Sequence, residues 1–279
     1  MELMELNLAE KAVQTRIAVL KMIYQAQGGH IGGAFSCADI VTALYYGVMR
    51  VDPTRPDWEE RDRFVLSKGH SVETYYAVLA DLGFFDQAEL ATYRAYQSRL
   101  IGHPSSHVPG VEVSTGALGH GLPIGVGMAL AGKMDHKDYR VFVLMGDGEL
   151  AEGSVWEAAM SASHYRLDNL VGIIDRNRLQ IGGDTEEVMA LENLKAKWEA
   201  FGWNAHEADG HDLQGLVDLL HNLQPGGGRP HLVIANTVKG KGVSFMENHK
   251  GWHHRVPTDE EYQQALAELN AQREAIRRE

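Results

Sequence analysis

The 279-residue chain is 44% apolar and 23% charged with a formal net charge of −12, an ordinary globular composition. The acidic balance excludes a nucleic-acid surface built on clustered cations, and no run reaches the roughly 18 uninterrupted apolar residues of a membrane span. One cysteine, Cys37, excludes an internal disulfide framework and fits a reducing cytoplasm.

The opening stretch "MELMELNLAEKAVQTRIAVLKMIYQAQ" is acidic and amphipathic, without the basic start and apolar core of a signal peptide. Val13, Ile17, Leu20 and Tyr24 recur at helical spacing and predict a helix that stops at Gly28-Gly29. "CADIVTALYYGVM" reads as a second helix capped by Ser36, "DRFVLS" as a short buried strand, and "VETYYAVLADLGFF" as a further helix. From Ile101 to Gly121 there is little periodicity and much Gly, Pro and Ser, which predicts a long ordered loop of the functional kind. "LPIGVGMALAGKM" is a helix of small residues suited to close packing. The apolar runs "YRVFVLM" and "NLVGIID" flank the helical "AEGSVWEAAMSASHYRL", a βαβ unit with strands buried on both faces. A further strand, "HLVIANTV", follows the helix "LQGLVDLLHNL" and a "PGGGRP" turn.

The expected architecture is α/β, a doubly wound parallel sheet with helices on both faces. Residues 1–279 form one domain on this reading, and 258–279 add a charged helical appendage, a lid or partner-facing element.

In such sheets ligands bind beyond the carboxyl ends of the strands. "VLMGDGELAEG" places Asp147 at one such end, between two glycines that permit a tight turn into the next helix, whose N-terminus favours a phosphate. "IIDRNRL" places Asp175 and Asn177 at the same edge, and Asp147 and Asn177 are 30 positions apart, one crossover. A carboxylate and an amide oxygen suit a hard divalent cation that completes its shell with phosphate oxygens. The implied ligand is a magnesium diphosphate; the bland alternative is a turn with an exposed Asp. No Walker signature occurs, and "GGAFSCADI" follows no strand, so it is not a dinucleotide fingerprint. Five of the 14 histidines directly follow glycine: His30, His70, His103, His120 and His211. In loops at one sheet edge, neutral imidazoles can hydrogen-bond sugar hydroxyls and move protons near pH 7. A three-histidine zinc site is the alternative, though no spacing matches a zinc signature.

Asp147 with Asn177 has the pattern of the thiamine diphosphate motif. "GGHIGG", "LSKGHSVETYYAVLADLGFF", "GHPSSHVPGVEVSTGALGHGLPIGVGMALA", "GDGELAEGSVWEAAM", "DRNRLQIGG" and "TVKGKGVSFMENHKGWHH" occur in order from about residue 10 to 257. Together they resemble the N-terminal, diphosphate-binding part of transketolase.

The resemblance implies thiamine diphosphate and Mg²⁺, or Ca²⁺ or Mn²⁺, as cofactors. Asp147, the Asn177 side chain and the Leu179 carbonyl would hold the metal, and Gly148 and His70 the diphosphate. Gly116 and Leu118 would approach the cofactor rings through their backbones, with Lys239 nearby. His30, His103 and one histidine of "WHH" would serve the sugar hydroxyls and proton transfer; counting from Lys239 favours His253 over His254. Glu152 resembles the carboxylate linking paired active sites, and also fits an exposed first-turn carboxylate.

Ile31 stands where transketolases commonly have proline. "GGHIGG" is also similar to deoxyxylulose-phosphate synthase, which lacks the "GHPSSHVPGVEVSTGALG" pattern. The family's pyrimidine-binding and C-terminal domains do not follow in this sequence. With them go the glutamate that acts on the aminopyrimidine and the cations that grip the sugar phosphate. The expectation is therefore the N-terminal subunit of a split transketolase, active with a complementary C-terminal subunit in a probable heterotetramer. The half-site of another thiamine enzyme and a non-catalytic regulatory homologue are the alternatives.

Overall fold

The computed structural model describes residues 7–278. Helix α1 (Leu8–Ala26) starts at Asn7, whose side chain accepts the Glu10 N–H, and ends on left-handed Gln27. Two short helices follow, α2 (Ile31–Ser36) and α3 (Ala38–Thr42), and α3 runs on into a π-helical turn, Ala43–Val48. The expected cap is not found: Cys37 precedes α3, while Ser36 lies within α2 and donates to Gly33 O and to Asp175.

Strand β1 (Arg63–Leu66) leads to α4 (Val72–Leu82), which Gly83 terminates in the left-handed region. After the loop of 101–120 come α5 (Gly121–Met134), β2 (Val141–Gly146), α6 (Gly153–His164) and β3 (Leu170–Arg176). A two-residue hairpin, β4 (Leu179–Gln180) and β5 (Gly183–Asp184), precedes α7 (Thr185–Val188) and α8 (Leu194–Ala200). Then follow β6 (Asn204–Asp209), α9 (Leu213–Asn222), β7 (His231–Asn236) and α10 (Asp259–Ile276).

Five strands form one parallel sheet in the order β1-β2-β3-β7-β6. Alternate residues of each strand serve opposite faces. Phe64, Leu66, Phe142, Leu144, Val171 and Ile173 pack with α3, α4 and α9. Val65, Val143, Met145 and Ile174 pack with α5, α6 and α8. Both faces are thus covered, which explains the unbroken apolar strands. Strand β6 escapes sequence detection because it is the edge: of its residues only Ala205 is buried, and His206, Glu207 and Asp209 break any apolar pattern.

Residues 258–278 are more than an appendage. In α10, opened by a capping box of Thr258 and Glu261, Ala265 and Leu269 are fully buried in a third apolar cluster with α1, Val243, Met246 and Trp252. Among the described residues no helix is long and apolar enough to cross a membrane.

Candidate active site

The carboxyl ends of β1, β2, β3 and β7 all open on one edge of the sheet, where the register aligns Leu66 with Leu144, Gly146 with Asp175 and Arg176 with Asn236. Just beyond those ends stand His70, Asp147, Asn177 and Lys239, brought together by the parallel register alone.

Asp147 is only 2% exposed, so it is not the exposed turn residue of the bland reading. Its carboxylate accepts the N–H groups of Gly148 (2.8 Å) and Arg178 (2.6 Å) and pairs with Arg176 at 3.2 Å. Burial, and then the charge of Asp175, push its pKa up against those donors. The helix expected directly after Asp147 begins later: a 3-10 turn, Gly148–Ala151, intervenes before α6. A Cβ at Gly148 would lie 3.0 Å from Gln180 Oε1 and 3.1 Å from Gln180 Cβ, a tight approach to which the glutamine would have to yield.

Asn177 Oδ1 accepts the Leu179 N–H at 3.1 Å, and the Leu179 carbonyl accepts from Lys239 Nζ at 3.1 Å. A buried carboxylate whose charge is disfavoured, an amide oxygen and a carbonyl directed at a cation form an oxygen donor set suited to a hard divalent ion. Lys239 is buried and falls to about 8, through burial and then the neighbouring Lys68. Asp175 does not join this set. It is fully buried beneath the edge, paired with Lys68 and bonded by Ser36 and Thr237.

Of the five histidines that follow glycine, three converge. Ring centroids of His70 and His103 lie 5.3 and 6.3 Å from that of His30. His253 and His254 join them, at 5.7 and 4.6 Å from His30, and His253 lies 5.4 Å from His70. His253 is half-buried and its Nδ1 is 2.9 Å from Lys239 Nζ, whereas His254 is exposed. Burial first, then surrounding positive charge, holds His30 at about 4 and His253 at about 3, with His70 well below its ordinary value. All three are neutral at pH 7, so each ring carries one donor and one acceptor nitrogen for a hydroxyl. His30 Nδ1 is buried with no hydrogen-bond partner among the described residues, which leaves it open to a ligand or a water.

The other two lie apart: His120 is exposed beside Leu118 O, and His211 bridges Asp39 Oδ2 (2.6 Å) to the Val238 N–H (2.8 Å).

The loop of 101–120 brings Gly116 against His103, 3.1 Å from a Cβ built at the glycine, whose φ of +150° also favours glycine. Buried Glu149, not singled out from sequence, fixes this loop by accepting from Gly119 N at 2.8 Å, Gly146 N at 3.0 Å and Ser67 Oγ. Leu118 is half-buried, and Glu152 is exposed at the start of α6.

The sequence model of the family described as "Transketolase, thiamine diphosphate binding domain" matches residues 8–275. The chain belongs to the transketolase family. It is 50% identical over 266 residues to an apulose-4-phosphate transketolase subunit of Phocaeicola vulgatus, covering 95% of each chain. It is also 40% identical to the 6-deoxy-6-sulfo-D-fructose transketolase subunit SqwG of a Clostridium species, covering 95% of this chain and 97% of that one. The transketolase of Campylobacter jejuni superposes with a TM-score of 0.89 at 30% identity, covering 98% of this chain and 46% of that structure. The chain thus spans under half the length of that solved transketolase and nearly all of the subunit-sized relatives. Among transketolases it corresponds to the N-terminal, thiamine diphosphate-binding part.

Proposed function

We propose that this transketolase-family chain is the cofactor-binding subunit of a two-chain enzyme that transfers a two-carbon ketol unit from a ketose phosphate to an aldose phosphate. The convergence of His30, His70, His103 and His253 beside the Asp147–Asn177 edge carries the reading. The names of its subunit-sized relatives support both a complementary chain and a sugar outside the common ketose phosphates, with apulose 4-phosphate the first to try.

Asp147, the Asn177 amide and the Leu179 carbonyl hold Mg²⁺ on this reading, and Gly148 and His70 contact the diphosphate. Thiamine diphosphate bound there supplies the electron-accepting centre for cleaving a carbon–carbon bond beside a carbonyl. The backbones of Gly116 and Leu118 border its rings, and Lys239 puts positive charge near the metal ligands. His30, His103 and His253 orient the sugar through its hydroxyls, and their neutral imidazoles can accept or return a proton there. Glu152, exposed at the start of α6, is free to face a partner. The complementary subunit supplies the carboxylate for the aminopyrimidine, and two copies of each chain form the complex.

The test is reconstitution with a co-purifying complementary chain. Asp147→Ala should lower kcat/KM by more than the roughly 10–100-fold typical of residues that merely support a metal site, and should remove the Mg²⁺ dependence of thiamine diphosphate binding in calorimetry. Ketol transfer by the purified chain alone would refute the two-chain reading.

A further inference from the structure

His211 stands apart from the imidazole cluster, yet its two ring nitrogens connect a buried ion pair to the segment that carries Lys239. The β6–β7 ladder ends at Asp209 and Asn236, and the Gly210 N–H closes it on Asn236 O at 2.8 Å. A Cβ at Gly210 would lie 2.4 Å from Thr237 Cγ2, so glycine lets the two outgoing chains stay close. That approach brings the next side chain, His211, within reach of the Val238 N–H at 2.8 Å.

A backbone N–H can only donate, so Nε2 is the lone-pair nitrogen and Nδ1 carries the hydrogen, which it donates to Asp39 Oδ2 at 2.6 Å. Asp39 is itself gripped by both terminal nitrogens of buried Arg16, at 3.0 and 2.6 Å. Burial disfavours the Asp39 charge, but Arg16 and then His211 outweigh it and hold the carboxyl at about 2. The carboxylate therefore fixes the tautomer and the ring direction, as carboxylates do for histidines that must present one nitrogen.

Beyond β7 the backbone is pinned residue by residue. The N–H groups of Thr237 and Gly240 go to the carbonyls of Arg176 (3.1 Å) and Gly32 (3.0 Å), whereas that of Val238 goes to a side chain. The next residue is Lys239, whose Nζ lies 3.1 Å from Leu179 O and 2.9 Å from His253 Nδ1. We propose that His211 is a positioning residue of the site: through the Val238 N–H it aims Lys239 at the Leu179 carbonyl and His253. The proposal rests on the cofactor reading of this sheet edge.

The experiment compares His211→Asn and His211→Gln with wild type. Asparagine keeps a donor near Nδ1 for Asp39 but falls short of Val238. Glutamine puts an acceptor near Nε2 for Val238 and gives up Asp39. Arg16 keeps Asp39 paired in both, so no buried charge is left alone, and melting curves check that both fold. In calorimetry on the full chain, affinity for thiamine diphosphate with Mg²⁺ should fall roughly tenfold in His211→Asn, the worth of one hydrogen bond, and stay near wild type in His211→Gln. In a Lys239→Met background the same asparagine change should cost less than about twofold, because it acts through Lys239. Equal affinities in the two amide variants, or an asparagine loss undiminished in the Lys239→Met background, would overturn the proposal.

A second measurement needs no cofactor. The His253 imidazole resonances of the free chain should shift in His211→Asn as they do in Lys239→Met, and stay in place in His211→Gln; any other pattern overturns the proposal. A wild-type chain that binds no thiamine diphosphate would refute the cofactor reading alone, and the resonances would still decide His211.

Discussion

At the scale of single residues, the site is a set of imidazoles kept neutral by burial. An unfolded histidine takes up a proton near pH 6.5, whereas folded His30 does so only near 4 and His253 near 3. Between those values the unfolded chain binds more protons, so stability falls as the pH drops from about 6.5 toward 4; above 6.5 both states are neutral and the contribution is constant. Buried carboxylates with pKa values raised above the ordinary 4.5, such as Glu73 and Glu149, act in the opposite sense above about pH 4.5, within the same window. Comparing variants cancels them. Melting temperature should decline less steeply between pH 6.5 and 4.5 in a His30→Asn, His253→Asn double variant than in wild type. Parallel pH profiles would mean that these imidazoles are as solvated as in the unfolded chain. Gly29 makes a second residue-scale case. At φ +153°, a Cβ there would strike Glu73 Oε1 and sit 2.6 Å from Ile23 Cγ1. Gly29→Ala should displace the carboxylate that holds His30, and raise KM for donor together with a lower melting temperature.

At the scale of elements, α10 is a buttress. It braces the segment that carries Lys239 and His253: Gln272 donates to Gly242 O at 2.6 Å, and Glu268 accepts from Ser244 N at 2.7 Å and Ser244 Oγ at 2.8 Å. Leu269 sits beneath this contact with Val243, Met246 and Trp252. Leu269→Ala should therefore cost about 2–5 kcal/mol, the range for deleting a buried leucine, measured by denaturant unfolding. A cost below about 0.5 kcal/mol, typical of surface substitutions, would show the helix to be an appendage after all. The same logic explains the small residues of α5. A Cβ at Gly125 would collide with Val143 of β2, so that helix lies unusually close to the sheet.

At the scale of the molecule, every proposed cofactor contact lies on one edge of the sheet, and that edge also carries exposed apolar side chains. Ile181 is 78% and Met189 59% exposed, in the segment immediately following Asn177. On the two-chain reading, large apolar groups that project beside the site are what a complementary subunit would cover. Ile181→Asp with Met189→Asp should weaken the two-chain complex at least about tenfold if this patch contributes to its buried centre, with the chain's own melting temperature unchanged. Sedimentation of the mixed chains reads the first quantity and calorimetry the second.

Local chemistry alone carries a good part of this protein. The buried strands appear as unbroken apolar runs, the βαβ unit sets the spacing of Asp147 and Asn177, and the motif order marks the transketolase family. Strand β6 is not legible in the same way, because an edge strand with one buried residue leaves no periodic trace. Nor does spacing decide among five equivalent Gly-His pairs. Packing of α2, α4 and the 101–120 loop gathers His30, His70 and His103 and sends His120 and His211 elsewhere. Asp175 stands at the sheet edge beside Asn177 in sequence, yet the fold closes over it and Lys68 as a buried pair. Arg94 is the reverse case: Arg99, close by in sequence, is paired with Glu89, whereas the Arg94 side chain has no ion-pair or hydrogen-bond partner among the described residues. Periodicity and turns are short-range and survive in one dimension. Convergence, burial and an unpaired charge are properties of distances between residues far apart in the chain, and those exist only in the folded molecule.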